Sequence, residues 1–426
     1  MTTLFLARHL LPICSAPIEN GGLLVEGGRI VAVGSASDLQ EKSPNAETVD
    51  FGDRVLLPPM ANAHTHLELT HFPQWVLSPD APSEQVSFVD WVLKLIKVRR
   101  NLTPPQLDQS LCQGLDLLLR SGTALVGDIL TSFESRSLYA DSTLHGRVFF
   151  EVLGREPAPF AERLERFAKV SQIPPGCNLS WGISPHSPYT LSEETFRLAV
   201  AWAQQYGLPA SIHLAETEDE VAFVARREGP IAERLYPAVN WQVAPRKRQD
   251  PQPRPVRWLL DQGPLPADSL AVHGVHVDEQ DVADLARAGL GVVLCPRSNA
   301  LFGSRRAPLS AYRQAGVVLA LGTDSLASSP SLSIWDELAF AWSWFAGELN
   351  GAQWLEIATC GGAAVLGKKS EFSGLAPRQP AHFQVVTNPE GWGGESLCDH
   401  LCACGDRVRV EALYLASDGV CENVLS

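Results

Sequence analysis

The chain has 426 residues, 45% of them apolar and 19% charged, with a formal net charge of −14. That acid excess argues against nucleic acid or an anionic membrane as the main partner, and no apolar run reaches the length of a membrane span. The opening residues "MTTLFLARHLLPICSAPIENGG" lack a basic leader followed by a long apolar core, so a cytoplasmic protein is expected. Nine cysteines spread over so long a chain do not form a disulfide framework and read as reduced core residues. Cys398, Cys402 and Cys404 cluster with His400 in "CDHLCACGD", a spacing that matches no common structural zinc site. The basic cluster "PRKRQDPQPRP", Pro245–Pro255, reads as a solvated, proline-rich insertion.

In chain order, the first fifty-odd residues are short β pieces, "TLFLARHLLP" and "GGLLVEGGRIVAVG", punctuated by Gly21-Gly22 and Gly27-Gly28. Eight strand-like segments follow: "VLLPPMANAHTH", "TALVGDIL", "RVFFEVLG", "LSWGISPHS", "PASIHLAE", "LAVHGVHV", "GVVLCPRSN" and "VVLALGTDS". Between them lie amphipathic stretches such as "SFVDWVLKLIKVRR" and "LSEETFRLAVAWAQQYG", several closed by glycine as helices are. This alternation predicts an α/β fold, a (β/α)₈ TIM barrel over residues 57–371. From Phe372 the tail returns to β with "AHFQVVTNPEG" and "RVRVEALYLASDG", so residues 1–56 and 372–426 are expected to pair into one small composite β-sandwich domain.

In such a barrel, catalytic groups stand at the carboxyl ends of the strands. The unusual polar residues fall there: His64 and His66 end the first strand, His186 the fourth, His213 the fifth, His273 the sixth and Asp324 the eighth. His64 and His66 are two apart, so a strand turns them the same way. With a histidine from a distant strand and the aspartate of "GTDS", they supply the neutral nitrogen and anionic oxygen that suit zinc or ferrous iron.

With those residues the chain resembles the amidohydrolase superfamily, in particular its aminohydrolase branch of cytosine, guanine and adenosine-type deaminases and triazine hydrolases. The motifs run from "NAHTHLE" through "SPHSPYT", "SIHLAETEDE" and "LAVHGVHVD" to "LCPRSNALFG" and "LGTDSLAS". The resemblance implies one divalent metal, zinc first and iron second, held by His64, His66, His213 and Asp324. It implies Glu216 as proton shuttle, and Asp324 and His273 as catalytic partners that take a proton from water and orient it. Read from the residues alone, Glu216 is also a candidate cap for the helix "ETEDEVAFVARRE". No lysine stands at the end of the fourth strand to carry a bridging carbamate, which favours one metal over two. Pro58-Pro59-Met60 and Ala381-His382 depart from the usual Pro-Gly and Ala-Asp of the family, both away from the metal residues.

For substrate, "AHTHLELTHF", "FVDWV", "PHSPYT" and "GTDSLASSPSL" look most like the aminofutalosine deaminases of menaquinone biosynthesis. That likeness implies an adenine nucleoside substrate, 6-amino-6-deoxyfutalosine, with adenosine, methylthioadenosine and S-adenosylhomocysteine as rivals and a triazine as a more distant one. It also places Asp90, with Trp91 beside it, on ribose hydroxyls and His186 on the purine or sugar; Asp90 reads equally as a helix N-terminal charge. Glu68 is a candidate beside the ligands, and His71 belongs to the loop above the pocket, touching substrate or facing solvent. A homo-oligomer is compatible with the sequence. A catalytically silent barrel is the reading of a different class, and its mark, loss of a ligand or of the shuttle, is missing here.

Overall fold

The computed structural model describes residues 2–76, 87–169, 171, 174, 176, 178–243, 252–390 and 396–425. Most of the basic cluster, residues 245–251, lies outside the described residues. Five strands come first: β1 (Thr2–Leu10), β2 (Ile18–Glu26), β3 (Arg29–Ser35), β4 (Glu47–Asp50) and β5 (Arg54–Leu57). The barrel strands are β6 (Met60–Thr65), β7 (Thr123–Leu130), β8 (His145–Val152), β9 (Leu179–Pro185), β10 (Ser211–Leu214), β11 (Leu270–His273), β12 (Gly291–Leu294) and β13 (Leu319–Leu321). The tail adds β14 (Phe383–Thr387), β15 (Val410–Ser417) and β16 (Val420–Asn423).

β6 to β9 and β10 to β13 form two parallel sheets of four strands. Parallel bridges between Ile183 and Ala210 and between Thr65 and Asp324 join them into a closed barrel. Each strand sends alternate residues to opposite faces. Val126, Val148, Phe150, Ala271, Val292 and Leu321 join the core shared with the helices, such as Leu111, Phe167 and Phe196. Their neighbours Leu125, Phe149, Val272, Val293 and Ala320 gather with Ala61 and Ala63 in a second cluster on the other face of the wall. The helices between strands carry sequence-encoded ends. Pro104 opens Pro104–Arg120 behind a Thr103–Gln106 capping box, and Ser192 caps Glu193–Tyr206, which Gly207 closes at φ +64°. Among the described residues no helix is long and apolar enough to cross a membrane.

The expected first strand, "VLLPPMANAHTH", is two strands in two sheets. Prolines lack the N–H that a ladder needs, and Pro58-Pro59 separates β5 from β6. β5 lies between β14 and β1 in an eight-stranded sheet of order β16-β15-β14-β5-β1-β2-β3, with β4 also on β1. Both ends of the sequence therefore build one sheet, which packs on Phe5, Leu23, Val25, Leu56, Phe383 and Val385. Gln384 of β14 donates to the Pro58 carbonyl at 3.0 Å, satisfying the backbone where the chain crosses from sheet to barrel.

Candidate active site

The seam that closes the barrel also assembles the polar centre. Asp324 N–H donates to the His64 carbonyl at 3.1 Å and His66 N–H to the Asp324 carbonyl at 3.3 Å, while the Thr65 hydroxyl donates to that same carbonyl at 2.8 Å. A Cβ on Gly322 would stand 2.8 Å from the His64 carbonyl, so the glycine of "LGTDS" is what lets the two segments meet. His273 and Asp324 adopt φ of +73° and +57°. Non-glycine residues in that region mark backbone held by its surroundings, commonly at functional sites.

Four side chains converge. His66 Nε2 and His213 Nε2 are 3.3 Å apart, and Asp324 Oδ1 stands 3.7 Å from His64 Nε2 and 3.5 Å from His66 Nε2. Bonds of about 2.0–2.1 Å to a tetrahedral ion would place neighbouring donors about 3.4 Å apart. His213 uses Nδ1 on the His186 carbonyl at 2.9 Å, which leaves Nε2 for the centre. Ser298 and Ser328 each donate to Asp324 Oδ2 at 2.7 Å, leaving Oδ1 for it as well. Neither ring nitrogen of the wholly buried His64 has a hydrogen-bond partner among the described residues. Burial, followed by the nearby His64 ring, pushes His66 down to about 3, so its imidazole is neutral and a competent ligand. Burial works to raise the Asp324 carboxyl, but the facing imidazoles of His64, His66 and His273 outweigh it and hold the group well below its ordinary value. The donor set thus fits one divalent ion.

Beside it stands a proton-carrying pair. Glu216 Oε1 is 3.6 Å from His273 Nε2. Burial, then the Asp324 and Glu220 carboxylates, push Glu216 well above the usual carboxylate range, so it is poised as a neutral acid. The Glu220 carboxylate accepts from Ala215 and Glu216 N–H at 2.9 Å each, fixing the turn that carries Glu216. The helix Glu218–Arg226 is capped by Thr217, so the capping role open to Glu216 in the sequence is taken by its neighbour. Asn299 lies 3.2 Å from His273 Nδ1, and burial lowers His273 to about 3. His66, His213, Glu216, His273 and Asp324 line a cavity of about 530 Å³ above the strand ends, with Trp91, His186 and Glu151 in its wall.

Not every expected residue reaches that cavity. Asp90 sits in the first turn of helix Phe88–Arg99, half-exposed and paired with Arg234 through both oxygens, outside the cavity wall. Trp91 does line the cavity and donates to the Ala327 carbonyl at 2.8 Å. Glu68 is buried but lies outside the cavity wall. Its oxygens accept from Thr131 N–H at 2.7 Å and Ser132 N–H at 2.9 Å, tying the turn after His66 to the loop after β7. His71 is buried, not above the pocket, with Nε2 on Gln113 and its N–H on Ser110. Cys398 and Cys402 pack in helix Leu397–Ala403 and Cys404 caps it, while His400 Nε2 is held by the Pro389 carbonyl at 2.9 Å. The sequence reading missed Ser298, Ser328, Asn299, Glu220 and Glu151. Of these Glu151 carried a signal, a lone carboxylate near the end of the apolar run "RVFFEV".

The sequence matches the amidohydrolase family over residues 55–399 and a bacterial imidazolonepropionase-like composite domain over residues 21–46. The chain belongs to the amidohydrolase family. This is a metal-dependent family, in keeping with the His/Asp cluster. Aminodeoxyfutalosine deaminase of Deinococcus radiodurans is 34% identical over 364 residues, 83% of this chain and 82% of that one. A 5-methylthioadenosine/S-adenosylhomocysteine deaminase of Halobacterium salinarum is 29% identical over 365 residues, 82% and 76% of the two chains. The crystal structure of Helicobacter pylori aminofutalosine deaminase shares the fold with a TM-score of 0.82 at 21% identity, covering 99% of this amidohydrolase and 100% of that chain. The chain is accordingly a hydrolase of C–N bonds, a deaminase.

Proposed function

We propose that this amidohydrolase deaminates an adenine-containing nucleoside, and that its substrate is 6-amino-6-deoxyfutalosine of menaquinone biosynthesis. The observation that carries this reading is the aminodeoxyfutalosine deaminase relative, matched over more than four fifths of both chains. The cavity supports it. Its floor holds His66, His213, Asp324 and Glu216, and its outer wall sets Arg99, Arg100 and Arg163 among Trp91, Leu95, Ile96 and Trp241. An apolar wall with guanidinium groups suits an aryl carboxylate, which 6-amino-6-deoxyfutalosine carries and adenosine lacks. The second reading, methylthioadenosine or S-adenosylhomocysteine as substrate, has the Halobacterium relative in its favour, and the same arginines suit an amino-acid carboxylate.

We assign one divalent ion to His64, His66, His213 and Asp324; zinc suits three imidazoles and a carboxylate best, and ferrous iron suits them next. When bound, it acidifies water towards neutrality and so supplies hydroxide. Asp324 would then take a proton from the attacking water, and neutral His273 would orient it. Glu216 gives its proton to the ring nitrogen beside the attacked carbon, so charge is neutralised as it develops. The carbon gains oxygen and loses its amino group, which leaves as ammonia once protonated. One water enters and one ammonia departs. Every residue lining the cavity lies between His66 and Ser325, so we assign the chemistry to residues 57–371 and a supporting role to 1–56 with 372–426.

Ammonia release from 6-amino-6-deoxyfutalosine, S-adenosylhomocysteine, methylthioadenosine, adenosine and a triazine tests the reading. The highest kcat/KM is expected for the first. A higher value for S-adenosylhomocysteine or methylthioadenosine replaces it with the second reading, and turnover of the triazine alone overturns both. Chelation should abolish turnover and zinc or iron should restore it.

A further inference from the structure

With Asp90 paired to Arg234 on the outside, the carboxylate expected on the sugar stands outside the cavity. We propose that Glu151 and His186 together read a ribose hydroxyl. The proposal rests on that nucleoside reading and names a residue pair within the same cavity.

Glu151 belongs to β8, where Phe150 and Val152 face the helices and Phe149 faces the other way. Strand alternation puts Glu151 with Phe149, turned inward. It is 5% exposed, lines the cavity, and its buried Oε1 has no hydrogen-bond partner among the described residues. A carboxylate oxygen left so is costly unless something arrives to donate to it. The nearest charged or ring group given for it is His186 Nε2, 4.0 Å away, too far for a direct bond. His186 Nδ1 lies 3.0 Å from both the Ser187 and Thr190 hydroxyls. With the Ser187 hydroxyl donating to Nδ1, the neutral ring carries its proton on Nε2 and turns a donor towards the Glu151 acceptor.

A donor and an acceptor 4.0 Å apart leave room for one oxygen about 2.7–2.9 Å from each. A hydroxyl meets both, accepting from His186 and donating to Glu151. An ether, a methylene or a bare C–H of a deoxy sugar meets neither. A second metal is a poorer occupant of the same groups, although Glu151, His186 and His213 lie close enough together to suggest one. His213 has Nδ1 on the His186 carbonyl and Nε2 on the first donor set, so it has no nitrogen left.

The test is kcat/KM for a ribonucleoside substrate and its 2′-deoxy and 3′-deoxy forms, with wild type, Glu151→Ala and Glu151→Gln, each checked for metal content and folding by circular dichroism. Glu151→Ala should lower the ribonucleoside value about 10- to 100-fold and leave one deoxy form nearly unchanged, so the wild-type preference collapses. Glu151→Gln keeps an acceptor oxygen in the same shape and should retain part of that preference. An equal loss on all three substrates, or no loss, overturns the proposal while the nucleoside reading stands. Wild-type enzyme that turns over none of them overturns the nucleoside reading, and the sugar contact with it.

Discussion

The floor and the outer wall of the cavity are built by different rules. On the floor, His66, His213, His273 and Asp324 stand at or just past the ends of barrel strands, where the strand backbone places each donor. On the wall, Trp91, Arg99 and Arg163 project from the helices Phe88–Arg99 and Pro157–Ala168. There the packing of a helix on the barrel decides which side chains turn inward. On the proposed reading the floor fixes the reaction, and the wall sorts its substrates. Adjacent residues Asp90 and Trp91 make the point: one pairs with solvent-side Arg234, the other enters the cavity.

Perturbing the two regions should give effects of different kind and size. Glu216→Gln removes the transferable proton while keeping the shape, and should cut kcat on every substrate by about 10²–10⁴-fold with metal content unchanged. A loss confined to one substrate would move Glu216 from the floor's chemistry to recognition. Arg163 lies on the wall with its guanidinium 5.6 Å from the centroid of the Phe150 ring. Arg163→Ala should lower kcat/KM about 10- to 100-fold for a nucleoside bearing an acidic substituent and leave adenosine within about threefold. Equal losses would erase the distinction between wall and floor.

A smaller effect is expected beneath both regions. Burial raises the Asp128 carboxyl to about 8 against the hydrogen bonds it accepts from Tyr139 and Leu67. The folded chain then holds a proton that the unfolded chain has already lost above its ordinary value of 3.8. Stability should therefore fall as pH rises from about 4 towards 8. Urea unfolding of Asp128→Asn at pH 5, 6.5 and 8 should show a flatter profile than wild type; parallel profiles would refute the assignment. Smallest of all, Asp90→Asn should change neither kcat/KM nor sugar preference by more than about twofold, since exposed ion pairs contribute little. A clear fall for ribonucleosides alone would return Asp90 to the substrate.

How much could be read beforehand follows the same division. The barrel and the ends of its strands were legible because apolar runs alternate with amphipathic ones and the histidines interrupt those runs at their carboxyl ends. The split between β5 and β6 hid behind a continuous apolar segment, although Pro58-Pro59 marked it. Ser298, Ser328 and Asn299 could not be found, since an ordinary serine or asparagine acquires its partner only when distant strands meet. His71 was set above the pocket, and it is buried against Gln113 and Ser110 instead. Past Thr65 the strand gives way to a one-turn helix, Leu67–Leu69, which no local signal in the sequence marks. Once the period changes from two to three, side chains that seemed to share a face with His66 turn elsewhere.

The position of β5 between β14 and β1 bears on the order in which the molecule can be made. During synthesis β5 emerges early, but its second neighbour is not complete until residue 387 has been added. Until then an edge of unpaired amides stands open two prolines before the strand that delivers His64 and His66, and such an edge invites pairing with another nascent chain. The strand that seals β5 is thus made long after β5 itself.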